Sequence, residues 1–250
     1  MNPKERMEEL YALIAYHNQK YYDNDDPEIS DYDYDQLSLE LRRLEAENPM
    51  FVHADSPTQH VHGEQKREFK KVQHDVPVIS LQDVFSKEEV YAFVSSVKAE
   101  IPSAVFAVEK KIDGLTLVLR YKNGRLTEAI TRGDGITGEG VYENALAIRS
   151  VPKSIPEKLP YLEVRGECYM SSESFEAANR KQLEAGGKIY QNRRNSAAGT
   201  LRQLDPKVVA ERGLDIFVFN LEIAEGKSFT SHIESLNWLK SQGFAEIGRA

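Results

Sequence analysis

Glu109-Lys110-Lys111-Ile112-Asp113-Gly114 runs directly into Leu115-Thr116-Leu117-Val118-Leu119-Arg120-Tyr121. The second stretch is aliphatic and β-branched, which favours a strand. The same pattern extends the expectation back over residues 105–112. In an extended chain alternate side chains share a face. Glu109, Lys111 and Asp113 would then point one way, with Lys110 and Ile112 opposite. A lysine between two carboxylates, beside a flexible glycine, has the makings of a placed nucleophile. A solvated strand face with ordinary ion pairs explains the same residues, because charged side chains usually stay at the surface.

Working outward, Asn123-Gly124 is a tight-hairpin pair, and residues 126–131 return beside the first strand. Residues 162–170 read as another strand. Leu162, Val164 and Cys168 are expected toward the core, and Glu163, Arg165 and Glu167 outward or into a site. Ser172 opens a helix that stops at Gly186-Gly187. Residues 214–224 are strand-like, and residues 231–242 form a helix carrying Trp238 and closed by Gly243. Hairpins with interspersed helices indicate an α+β domain with antiparallel sheets.

The front of the chain differs. Residues 3–22 place Met7, Leu10, Tyr11, Ile14 and Tyr21 at helical spacing. A second helix is expected over 31–47, capped by Asp31, carrying Leu37, Leu39, Leu41 and Leu44, and ended by Asn48-Pro49. The expected organisation is a small helical domain at 1–53, a polar linker at 54–75 containing Asp55-Ser56-Pro57-Thr58-Gln59, and a larger domain at 76–250.

Composition narrows the function. The chain has 250 residues and a net charge of −8. That balance argues against this chain alone wrapping nucleic acid, which needs a basic surface, although a basic groove on an acidic body stays open. Cys168 is the one cysteine, so neither an intrachain disulfide nor a cysteine-based zinc site can form. No apolar run approaches the ~18–20 residues that span a bilayer, and the charged start lacks a signal-peptide core. A reducing, cytoplasmic setting and no membrane partner are expected.

Four further stretches carry polar chemistry. Thr131-Arg132-Gly133-Asp134-Gly135-Ile136-Thr137-Gly138-Glu139 lets backbone approach a ligand closely, but lacks the Gly-Lys-Ser/Thr ending of a phosphate loop. Its rival reading is a glycine-rich turn. Glu163-Val164-Arg165-Gly166-Glu167 puts Glu167 where it can accept ribose hydroxyls, or simply pair with Arg165. In Arg193-Arg194-Asn195-Ser196-Ala197-Ala198-Gly199-Thr200-Leu201-Arg202, Arg194 and Arg202 can converge on a pyrophosphate or lie on a basic surface turn. Tyr21-Tyr22, with Asp31, Tyr32, Asp33, Tyr34 and Asp35, can stack on and bond a nicotinamide ribose. An acid-rich helix start, favoured by the macrodipole, is the better account of the last five when they are judged separately.

Taken in order, Lys-x-Asp-Gly, Thr-Arg-Gly-Asp-Gly-x-x-Gly-Glu, Val-Arg-Gly-Glu and Arg-Asn-x-Ala-Ala-Gly-x-Leu-Arg-Gln resemble the N-terminal part of bacterial NAD-dependent DNA ligases. The resemblance covers nearly the whole chain, including the Tyr-Tyr…Pro-Glu-Ile-Ser-Asp-x-x-Tyr-Asp front unit, residues 55–59 and Ser80-Leu81. It implies a nucleotidyltransferase (ATP-grasp-like ligase adenylation) fold preceded by a helical domain that binds nicotinamide mononucleotide. It implies that Lys111 attacks the adenylyl phosphorus of NAD and that Asp113 orients it. Glu109 would read the adenine amino group, Ser80 and Leu81 would lie along the adenosine, and Glu167 would hold the ribose. Arg132, Arg194 and Arg202 would bind sugar or phosphate. Tyr21, Tyr22, Asp31, Tyr34 and Asp35 would grip the nicotinamide half. Magnesium as a companion ion, a monomeric protein, and nicked duplex DNA as the full-length enzyme's substrate complete the implication.

Two departures accompany it. The family usually has proline where Arg193 stands, and the chain stops at Arg249-Ala250 before the family's Gly-Val-Val-x-Lys type strand. The expectation is a fragment that binds NAD weakly, self-adenylylates slowly if at all, and does not seal DNA. The alternatives are an ATP-using RNA ligase or capping-type nucleotidyltransferase, which would lack the 16–37 stretch, and an inactive NAD-binding fragment.

Overall fold

The computed structural model describes residues 2–20, 28–53, 56–58, 69–81 and 83–248. The front unit is a pair of helices, α1 (Pro3–Asn18) and α2 (Asp31–Glu47). Asn2 and Glu5 form a capping box at the start of α1. Met7, Leu10, Tyr11 and Ile14 bury against Leu41, with Tyr34, Leu37 and Leu44 packed around them. Arg6 ties the helices together, its Nε and Nη2 lying 2.8 and 2.7 Å from the two Glu40 oxygens. The cap of α2 is Ser30 rather than Asp31, since the Ser30 Oγ accepts from the Asp33 amide. Both residue types cap well, and backbone geometry chose between them. Buried Glu45 accepts hydrogen bonds from Tyr11 (2.9 Å), Ser56 (2.5 Å) and Thr58 (2.6 Å), fastening residues 56–58 to the front unit. The remainder of the expected linker lies largely outside the described residues, but its end contains β1 (Lys71–Gln73).

β1 pairs antiparallel with β4 (Thr137–Glu139). The main sheet is antiparallel in the order β3-β2-β5-β6, built from β2 (Leu115–Lys122), β3 (Arg125–Thr131), β5 (Tyr161–Met170) and β6 (Leu214–Ala224). β2 and β3 join through Asn123 and Gly124 at φ 50° and 74°, the left-handed pair that matches strand twist.

Directly opposed residues share a face. Leu117, Leu119 and Tyr121 lie opposite Gly166, Val164 and Leu162, and this side faces the core. The core is closed by α4 (Tyr142–Ala147), α6 (Arg193–Leu201), α7 (Pro206–Arg212) and α8 (His232–Ser241). α5 (Ser172–Glu184) packs on α6 and α7. The mixture of helices and antiparallel sheet agrees with the expected α+β class.

The opposite face carries Thr116/Glu167, Val118/Arg165 and Arg120/Glu163 as cross-strand pairs. Residues 72–78 lie over it, with Val72 and Val78 packed against Val118 and Ile130. This second layer corrects one expectation: Glu163 does not face outward but is 1% exposed. Its Oε2 meets Arg120 Nε at 2.6 Å, and Arg120 also reaches Glu128 (3.0 Å) and Asp75 (3.1 Å).

A second correction concerns residues 105–112, expected as a strand. They are extended, with a single bridge position at Glu109, and Val105 and Val108 are exposed. No ladder neighbour pairs with them among the described residues. α3 (Lys87–Glu100), which precedes them, buries none of its residues.

Arg120→Leu is expected to lower stability by about 3–5 kcal/mol, because it strands the Glu163 carboxylate in the interior. Adding Glu163→Leu should recover most of that loss. Urea unfolding followed by circular dichroism measures both variants.

Candidate active site

Gly114 is where the site begins. A Cβ placed there would lie 2.1 Å from the Cys168 carbonyl oxygen and 3.2 Å from Glu167 Cγ. The absence of a side chain lets the chain at Gly114 lie directly on β5. Lys111 and Asp113 are thereby carried to the end of the sheet face that holds Glu167.

Glu167 is the focus of the surrounding charge. Burial raises its carboxyl above the usual carboxylate range. Thr116 Oγ1, donating at 3.0 Å, and the positive charges of Arg194, Lys111 and Arg132 work in the other direction. One half-buried carboxylate thus has three cations acting on it, drawn from before β2, after β3 and the start of α6.

Lys111 itself is exposed. Arg194 is set by Asn192, whose side chain caps α6 by accepting from the Arg194 amide at 2.7 Å. Arg194 Nε stands 3.6 Å from Asp113 Oδ1, a partly exposed pair that orients more than it stabilises. The neighbouring Arg193 takes another direction, donating to Ser172 Oγ at 2.8 Å. The guanidinium in the family's usual proline position is thus spent on α5.

Arg132 Nη1 donates to Ser80 Oγ at 3.1 Å, and Leu81 beside it is 76% exposed. The loop after Arg132 is closed by Asp134, whose carboxylate accepts from the amides of Thr137 and Ile136 and is held below its usual range by them. Arg202 grips buried Glu139 with two hydrogen bonds, at 2.8 and 3.2 Å. It braces α6 against β4 instead of lying beside Glu167. Glu109 Oε1 is 2.9 Å from His232 Nε2 at the start of α8. His232 carried no sequence signal, being 123 positions away.

The front-unit candidates form a separate group. Tyr34 donates to Asn18 Oδ1 at 2.7 Å, Asp33 accepts from Ser30 Oγ at 2.6 Å, and Tyr32 is exposed. Tyr34 and Asp35 line a cavity of about 180 Å³ with Arg42, Thr58, Asp83 and Phe85. Lys111, Arg132, Glu167 and Arg194 are not among its walls. Asp31 opens α2, while Tyr21 and Tyr22 lie outside the described residues.

With this geometry in hand, comparison with known proteins is specific. Residues 66–249 match the model of the NAD-dependent DNA ligase adenylation domain. Residues 1–62 match the DNA ligase-like, N-terminal NAD+-binding domain. A DNA ligase of Clostridium kluyveri is 61% identical over 244 residues, covering 98% of this chain and 37% of that protein. DNA ligases of Acetivibrio thermocellus and Clostridioides difficile are 49% and 43% identical over 245 and 246 residues. Each match covers 98% of this chain, and 37% and 36% of the respective protein. The chain therefore spans little more than a third of the length of these curated relatives.

Two outcomes follow from the geometry. Gly114→Ala is expected to destabilise the chain by about 1–3 kcal/mol, since a methyl group must displace backbone. A raised carboxyl pKa means the folded chain holds the Glu167 proton more tightly than the unfolded chain does, so ionisation costs stability as pH rises through the folded value. Glu167→Gln should therefore melt above the parent at pH ~8, with the difference vanishing below the ordinary value of ~4.3. Melting curves across that range check the sign.

Proposed function

The chain belongs to the family of NAD-dependent DNA ligases, through its adenylation and N-terminal NAD+-binding domains, and from that premise we propose that Lys111 is its adenylyl acceptor. The supporting observation is the Gly114–Cys168 contact, which sets Lys111 beside Glu167 with Arg132 and Arg194. The Lys111 amine, once deprotonated, attacks the adenylyl phosphorus of NAD. The new N–P bond forms as the bond to the bridging oxygen breaks, and nicotinamide mononucleotide leaves with that electron pair. Arg132 and Arg194 offset the phosphate charge. Glu167 accepts ribose hydroxyls and Glu109 the adenine amino group. Asp113 orients Arg194, Ser80 and Leu81 border the adenosine, and Arg202 acts through Glu139.

The same proposal assigns 76–250 to a nucleotidyltransferase fold related to ATP-grasp ligases, and 1–53 to the nicotinamide half. Tyr21, Tyr22, Asp31, Tyr34 and Asp35 would close over NAD and reopen after nicotinamide mononucleotide departs. In the longer protein the adenylate passes to the 5′-phosphate of nicked duplex DNA, and the 3′-hydroxyl then displaces AMP to seal the nick. A monomeric, cytoplasmic enzyme fits this reading. No helix of the described residues is long and apolar enough to cross a membrane. Among the described residues no group of three or more His, Cys, Asp or Glu side chains is placed to hold a metal ion. Magnesium enters the proposal only as a companion of the phosphates, and no step above passes through it.

Intact mass before and after incubation with NAD and magnesium is the direct test. A slowly gained adenylyl group is expected on the parent chain and none on Lys111→Ala. Equal labelling from ATP would reassign the site to an ATP-using nucleotidyltransferase, and labelling of Lys111→Ala would remove Lys111 from the reaction.

A further inference from the structure

His74 lies in the strap of chain that crosses the sheet face behind the site, and 7% of its surface is exposed. Its Nε2 is 3.1 Å from the Thr131 carbonyl oxygen and 3.1 Å from the Arg132 carbonyl oxygen. Carbonyl oxygens only accept, so Nε2 carries the hydrogen and donates. Nδ1 is buried and makes no hydrogen bond among the described residues.

The two carbonyls mark the point where β3 ends and the Arg-Gly-Asp-Gly turn begins. The strap holds that turn along its length. The His74 amide donates to Ile136 O at 2.8 Å and the Val78 amide to Gly135 O at 2.8 Å. Further along, Ser80 Oγ receives Arg132 Nη1. The main-chain bonds set the strap's register on the loop. The Arg132 backbone is also held by its amide donating to Thr116 O at 3.3 Å and its carbonyl accepting from the Gly135 amide at 3.0 Å; among the described residues the imidazole is the strap side chain that joins these bonds, and so helps set the direction in which that guanidinium leaves the turn.

We propose that His74 is a positioning residue for adenylyl transfer. Its Nε2–H clamps the Thr131 and Arg132 carbonyls and so aims Arg132 at the Glu167 and Lys111 cluster. The inference rests on the proposed function and adds to it a residue that touches neither nucleotide nor phosphate. Substitution should cost rate through Arg132 rather than through general loss of structure.

The experiment follows the rate of adenylyl addition to the chain by intact mass with NAD and magnesium, for parent, His74→Leu, His74→Gln, Arg132→Ala and the His74→Leu/Arg132→Ala double variant. His74→Leu is expected to slow addition roughly tenfold. His74→Gln, whose Nε2 can reach the same carbonyls, should lie within about threefold of the parent. In the Arg132→Ala background His74→Leu should add no further loss, because the residue it acts through is gone. If His74→Leu does not fold, His74→Asn replaces it, since its donor sits closer to the backbone and misses the carbonyls. Equal rates for parent and both apolar and Asn variants overturn the inference, as does a loss that adds fully to that of Arg132→Ala. A parent chain that gains no adenylyl group while binding NAD overturns the proposed function, and this inference with it. A parent that reacts, with His74 variants unchanged, overturns this inference alone.

Discussion

The close approach of Gly114 to the Cys168 carbonyl is the constraint around which the site is arranged. Without a Cβ at that position the chain entering β2 rests on β5 backbone, and the side chains that precede it reach Glu167. Every other contributor is placed relative to that contact. The β2–β3 hairpin delivers Arg132 one strand away, and the Asn192 cap delivers Arg194 at the first turn of α6. The helices α4, α6, α7 and α8 on the core side hold the sheet that makes the approach rigid. A motif in which lysine and glycine are separated by two residues is thus a statement about distance to a neighbouring strand.

Two carboxylates on the same sheet face, one buried and one half-buried, are held in different ways. Glu163 sits against Arg120 at hydrogen-bond distance, a pairing whose desolvation cost is answered by direct contact. Among the described residues Glu167 has a hydroxyl as its one close partner, and its cations act from further off. The first arrangement suits structure. The second leaves acceptor capacity that a sugar hydroxyl can use. Three residues of β5 separate them.

Much of the scaffold was legible because its signals are local. Alternating apolar residues gave β2, β3, β5 and β6. Asn123-Gly124 gave the turn, and Gly186 and Gly243 gave the ends of α5 and α8. Lys111, Arg132, Glu167 and Arg194 were legible as separate motifs in a fixed order. What failed depended on partners far away in sequence. Residues 105–112 have strand composition but no ladder neighbour among the described residues, and a strand is defined by its neighbour. Glu163 alternates correctly away from the core, yet the strap over that face encloses it. The Glu109–His232 and His74–Arg132 contacts join residues that no periodicity links. Arg193 stands where the family usually has proline, and only the start of α6 decides that its side chain turns to Ser172.

Cys168 places its carbonyl under Gly114 and its thiol in the core, where burial pushes the thiol pKa well up. A thiol in that state is closed to alkylating and oxidising reagents for as long as the sheet stays shut. Reaction requires β5 to part from its neighbours or from the helices beneath, a sub-global opening rather than a surface fluctuation. The chain therefore carries an internal clock. The modification rate of its single sulfhydryl reports how often the floor of the candidate site comes apart, independently of any chemistry carried out there.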